Sequence, residues 1–244
     1  MIKPAQTRRA HTGGVMALGT AALAALALSL SPTGPAASSP KPNRYIGVGK
    51  CMNCHSSTDG GDQYAVWKKS KHASAFALLG TDEAKQVGEK LGVGDPQKSD
   101  ECLQCHVTGH GKPAEAFKRG FDLTQGVQCE NCHGPGEQHM RARFRATAMA
   151  DPVPEGQVPP YVEIPDDEIV KAPARQVCFG CHNSKSPSFK PFCYYERVAK
   201  IRHLDPRKPR TKEERAAMLV CGCDTPCPCV DESSADSCGV PPKE

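Results

Sequence analysis

Gly126-Val127-Gln128-Cys129-Glu130-Asn131-Cys132-His133-Gly134-Pro135-Gly136 holds the pattern that decides how this chain is built. Within it, Cys-x-x-Cys-His separates two thiols by two residues, with an imidazole directly after them. The same pattern recurs as Cys51/Cys54/His55, Cys102/Cys105/His106 and Cys178/Cys181/His182. Fourteen Cys and nine His in 244 residues predict about 0.03 chance copies. Four copies are therefore a built feature. Zinc sites use Cys-x-x-Cys pairs but do not need His after each one. A dithiol oxidoreductase needs one such motif in a βαβ unit, and no βαβ pattern is present. The remaining chemistry is c-type haem attachment, with both thiols on the porphyrin vinyl groups and the His beneath the iron. The cofactor expected is four covalent haem c groups, held by Cys51, Cys54, Cys102, Cys105, Cys129, Cys132, Cys178 and Cys181. The proximal iron ligands are His55, His106, His133 and His182.

The rest of the composition agrees. Aromatics are 5% and mean hydropathy is −0.50, with 22 Gly and 22 Pro. That is thin material for an apolar core, and a large apolar cofactor supplies the missing buried area. The fold class expected is mainly α with extensive loops, a multihaem cytochrome c whose haems form much of the core. Beyond the proximal four and His11, four histidines remain as metal ligands: His72, His139, His203 and His110. Two neutral imidazoles per iron give a six-coordinate, low-spin centre that exchanges electrons with little rearrangement. His110 is the weakest of the four. It lies four residues from His106, too close to reach round the same porphyrin. It serves another haem, or it is a surface or pocket histidine.

Along the chain, residues 1–37 read as a secretory signal. Lys3, Arg8 and Arg9 precede an apolar run from Val15 to Leu30, and small residues Gly34 to Ala37 follow. The run is short for a membrane span, so membrane attachment requires that it stay uncleaved. The location expected is periplasmic or otherwise exported. Residues 38–210 form the tetrahaem domain, and 211–244 form a Cys-rich tail. A helix is expected over Tyr64–Leu79, with Tyr64, Trp67, Phe76 and Leu79 on one face. Thr81 caps a second helix that ends near Gly92. Further helices are expected over Glu137–Ala150, Pro191–Leu204 and Thr211–Val220. Asp151–Pro165 holds five prolines and is a loop.

The net charge is +4, of which residues 1–37 supply three. Nothing in that balance points to nucleic acid. Eight propionates and four ferric cores take the mature holoprotein to about −3. Arg141, Arg143, Arg145, Lys185, Arg197, Lys200 and Arg202 are candidate propionate partners, or a solvated basic face. Six cysteines stand outside the motifs: Cys193, Cys221, Cys223, Cys227, Cys229 and Cys238. Disulfides are the simpler reading in an oxidising compartment. Copper(I) or zinc on the 221–229 cysteines is the sharper one.

The 126–136 string with His139, Trp67-Lys68-Lys69-Ser70-Lys71-His72-Ala73, and Cys105-His106-Val107-Thr108-Gly109 resemble the cytochrome c-554 family. These are tetrahaem electron acceptors of hydroxylamine oxidoreductase. The resemblance runs over about residues 45–205. It implies that distal ligands come from elsewhere in the chain: His139 to the first haem, His72 to the third, His203 to the fourth. It implies no distal protein ligand at the second haem, on His106, and haems stacked in close pairs. The function expected is electron transport between redox protein partners. The alternatives are a redox enzyme acting on a small nitrogen oxide (nitric oxide, hydroxylamine) at an open second haem, or a structural electron-transfer subunit of a larger complex. The sequence favours a carrier over an enzyme, and no Cys-x-x-Cys-Lys motif of the pentahaem nitrite reductases is present.

Overall fold

Helix formation here follows the haem motifs, because a turn of helix is what brings two thiols three residues apart onto one side. The computed structural model describes residues 41–190, 192 and 194–219. The expected signal segment, Cys193 and the tail cysteines from Cys221 onward lie outside them. The described residues belong to one unit that begins at Lys41.

Ten α-helices are described, in chain order α1 (Val48–His55), α2 (Gln63–Lys69), α3 (Ala75–Leu78), α4 (Asp82–Leu91), α5 (Asp100–His106), α6 (Cys129–His133), α7 (Glu137–Met149), α8 (Arg175–Phe179), α9 (Tyr194–Ile201) and α10 (Lys212–Leu219), with short 3-10 turns at Ala114–Ala116 and Leu123–Gln125. Among the described residues there is no strand, only a parallel bridge between Tyr45 and Phe117. The mainly α class with long loops is what the sequence led one to expect. Helices α1, α5 and α6 each end on the motif histidine. In the fourth motif the helix stops at Phe179, and the His182 amide still bonds the Cys178 carbonyl at 2.9 Å.

Helix α4 runs as its caps dictate. The Thr81 hydroxyl accepts from the Ala84 amide at 3.2 Å, and Gly92 closes the helix in the left-handed region. The helix expected over 64–79 does not run through. The Ser70 hydroxyl donates to the Trp67 carbonyl at 2.7 Å, and Ser70 itself is extended. A side chain that competes for the helix's own acceptors ends α2 there. His72 is left in a turn, where its carbonyl accepts from the Val127 amide at 3.0 Å. Gly126, at φ +74, lies against that carbonyl. A Cβ there would stand 2.5 Å from it, so only glycine fits.

The buried apolar side chains are few: Ile46, Val48, Trp67, Leu79, Val107 and Val127. Polar groups do much of the tying together. The Gln128 carboxamide accepts from the Val48 amide and donates to the Asp122 carbonyl, each at 2.8 Å. Glu130, 3% exposed, accepts from the amides of Ile46, Gly47 and Gly136 at 2.7–2.8 Å. The segment that leads into the first motif is thus clamped onto the third. Each of these contacts satisfies a buried amide that would otherwise cost about 1–3 kcal/mol.

Glu137, one residue past the Gly-Pro-Gly turn, gathers three cations. Arg44 grips both of its oxygens at 2.6 and 2.9 Å, Lys118 stands at 3.1 Å and Arg141 at 2.6 Å. The Arg44 guanidinium does most to hold this carboxyl down at about 2, with burial opposing it and Lys118 and Arg141 adding to it. A depressed carboxyl contributes stability that is complete above its ordinary value of 4.5 and is lost as pH falls toward about 2. Glu137→Gln is therefore expected to lower the Tm near neutral pH, with the gap to the parent protein closing on acidification through that window. Calorimetry across pH checks it. A gap that does not change with pH contradicts it.

Candidate haem centres

Three of the four motif histidines, His55, His106 and His133, are built to present Nε2. An Nδ1–H bonded to an oxygen fixes the tautomer and leaves Nε2 free to bind a metal. His106 Nδ1 donates to the Ala75 carbonyl at 2.7 Å, and His133 Nδ1 to the Val170 carbonyl at 2.6 Å. His55 Nδ1 lies 3.3 Å from the Gln63 carboxamide oxygen. Among the spare histidines, His139 Nδ1 bonds Glu168 at 2.7 Å and His203 Nδ1 the Ile201 carbonyl at 2.9 Å. His182 stacks on Phe192, with ring centres 4.3 Å apart and planes 17° apart. Burial lowers the pKa of His55, His72, His133 and His182 from the usual value, and so favours the neutral form a metal needs.

Three of the four motif histidines face a second imidazole. His55 faces His139 with ring centres 6.1 Å apart, His133 faces His203 at 5.8 Å, and His182 faces His72 at 6.1 Å. Two imidazoles on one metal, each nitrogen about 2 Å from it, hold their ring centres about 6 Å apart. The three pairs thus have the spacing of axial ligands on a shared iron. His139 stands with the first motif, as the resemblance implied. The other two are exchanged: His72 stands with the fourth motif, not the third, and His203 with the third, not the fourth. The break at Ser70 is the local cause for His72, which sits in a turn instead of on a continuing helix. His106 has none of these partners. His110 turns to Asp100, with Nε2 3.6 Å from a carboxylate oxygen, and pairs with no motif histidine.

The thiols fit the same group. None of the eight motif cysteines is in a disulfide. Cys51 lies against Cys129, and Cys105 against Cys181. Cys132 is within electrostatic reach of Cys178. The attachment points therefore run in the order first, third, fourth, second. Arg143 adds a further sign of fit, because its buried Nε has no acceptor among the described residues, and a propionate is an acceptor. Of the other cations expected near propionates, Arg141 bonds Glu137 and Lys200 bonds Glu196.

Sequence reasoning missed Glu168 and the carbonyls of Ala75 and Val170. Glu168 and Val170 lie just past a stretch that reads only as loop. Backbone acceptors leave no trace in residue identity, and one Glu in an acidic run carries no signal.

Residues 50–134 match the family described as cytochrome c554 and c-prime. That stretch holds the first three motifs but not the fourth, nor His139 or His203. Cytochrome c-554 of Nitrosomonas europaea is 32% identical over 111 residues, 43% of this chain and 44% of the relative. The match thus spans less than half of that protein. No solved structure matches the chain.

The observed pairing makes a test. Loss of the fourth attachment site through Cys178→Ser with Cys181→Ser should abolish any further effect of His72→Ala on spin state. His203→Ala should still turn one more iron high-spin in that background. Near-infrared magnetic circular dichroism counts the high-spin irons. The reverse dependence would restore the pairing that the resemblance implied.

Proposed function

We propose that this chain is an exported tetrahaem c-type cytochrome that carries covalently bound haem c and passes electrons between redox protein partners, a reading supported by the match of residues 50–134 to the cytochrome c554 and c-prime family and by the 32% identity to cytochrome c-554. The observation that carries the reading is the set of three imidazole pairs, each rooted in a Cys-x-x-Cys-His motif, at 5.8–6.1 Å. Haem iron, when bound, would supply one-electron chemistry. The chain's own residues supply the rest. The motif cysteines would tether the groups, the motif histidines would hold them, and His139, His203 and His72 would supply further imidazoles that exclude other ligands. The Nδ1 bonds of His55, His106, His133, His139 and His203 hold those rings in one tautomer, so a change of charge at the metal would require little movement. The order first, third, fourth, second supports a continuous route through the protein. The apolar, Ala-rich segment before residue 38 supports export.

One observation favours a second reading. His106 stands without an opposing imidazole among the described residues, so a small nitrogen oxide is the ligand chemistry expected at that position. Acid–acetone unfolding and weighing of the purified protein should give the mass of the polypeptide plus four haems, and reductive titration should take four electrons. Nitric oxide or cyanide should shift the spectrum of one haem. A chain that weighs only its amino acids defeats the proposal, and a spectrum that neither ligand moves removes the second reading.

A further inference from the structure

His139 differs from His55, His106, His133 and His203 in what holds its Nδ1. Those four meet carbonyl or carboxamide oxygens, whereas His139 meets the Glu168 carboxylate at 2.7 Å. The carboxylate is well buried, with its side chain 9% exposed. Its other oxygen accepts from Arg143 at 2.6 Å. His139 and Arg143 lie four residues apart on α7, so one helix face presents both donors. Glu168 comes across from the loop before α8, 29 residues along the chain from His139. Two residues on, Val170 takes the Nδ1–H of His133 and returns its own amide to the His133 carbonyl at 3.3 Å. One short strap therefore braces axial histidines of two neighbouring centres.

We propose that Glu168 is a positioning residue that sets the reduction potential of the first haem, below the value a neutral acceptor would give. This rests on the haem reading above. The physical cause is direct. A carboxylate on Nδ1–H draws that proton toward itself and makes Nε2 a stronger donor, which favours ferric over ferrous iron. A backbone carbonyl does this less, because a hydrogen bond to a charged acceptor is roughly twice as strong. Arg143, 2.6 Å from the other carboxylate oxygen, aims the group at His139. The first attachment site lies at one end of the order first, third, fourth, second, so its potential bears on the direction of electron flow through the chain.

Spectroelectrochemical titration of the whole holoprotein tests it. His139→Met identifies the step that belongs to this haem, because an axial Met raises the potential. In Glu168→Gln that same step is expected to move to higher potential, with the other three in place. Glu168→Asp keeps a charge at greater reach and is expected to give a smaller upward shift of the same step. It also serves should Gln yield too little holoprotein. No shift in either variant overturns the proposal, as does an equal shift of all four steps, which would mark general loosening. A parent protein that weighs four haems while Glu168→Gln moves nothing overturns this assignment alone. A parent protein without haem mass overturns both it and the function it rests on.

Discussion

Three pairs of imidazoles carry the haem reading, their ring centres 5.8–6.1 Å apart, the spacing of two ligands on one metal. Each pair joins one histidine fixed by two covalent neighbours to another brought from a distant part of the chain. His55 and His139 are 84 positions apart, His133 and His203 are 70, and His72 and His182 are 110. The iron would thus close loops that the few buried apolar side chains do not close. Bonds of this kind bring distant segments together at a chain-entropy cost that grows only slowly with loop length.

The polypeptide meets that demand with polar scaffolding. Glu130 and Gln128 flank Cys129, and both reach back to the amides that open the first motif. Glu137, just beyond, draws in Arg44 from the same segment. The third motif is therefore the hub: its neighbours hold the first motif, its thiols approach those of the first and fourth, and its histidine leans on Val170. Hydrogen bonds suit this task better than apolar contacts, because they fix register as well as proximity.

How much of this was legible in the sequence follows from what kind of information each part carries. The four motifs declare themselves by residue type and spacing, and three of the spare histidines prove to be the ones that face them. The caps of α4 were legible because Thr81 and Gly92 act within one turn. The break in the helix expected over 64–79 was not, since a serine inside a helix is compatible with both outcomes, and only the fold shows its hydroxyl turned onto the Trp67 carbonyl. The partners of His72 and His203 were expected in exchanged order, because position along the chain does not encode which motif a ring meets. Glu168 was invisible for the opposite reason. Its residue type is common, and only the fold brings it to His139.

The proposal is that, of four irons, three would have two protein imidazoles and one, on His106, would have a single one. Electron paramagnetic resonance of the fully oxidised protein, integrated for spin, reads this directly. The account predicts three low-spin ferric centres and one high-spin centre. Four low-spin centres, or more than one high-spin centre, would contradict it.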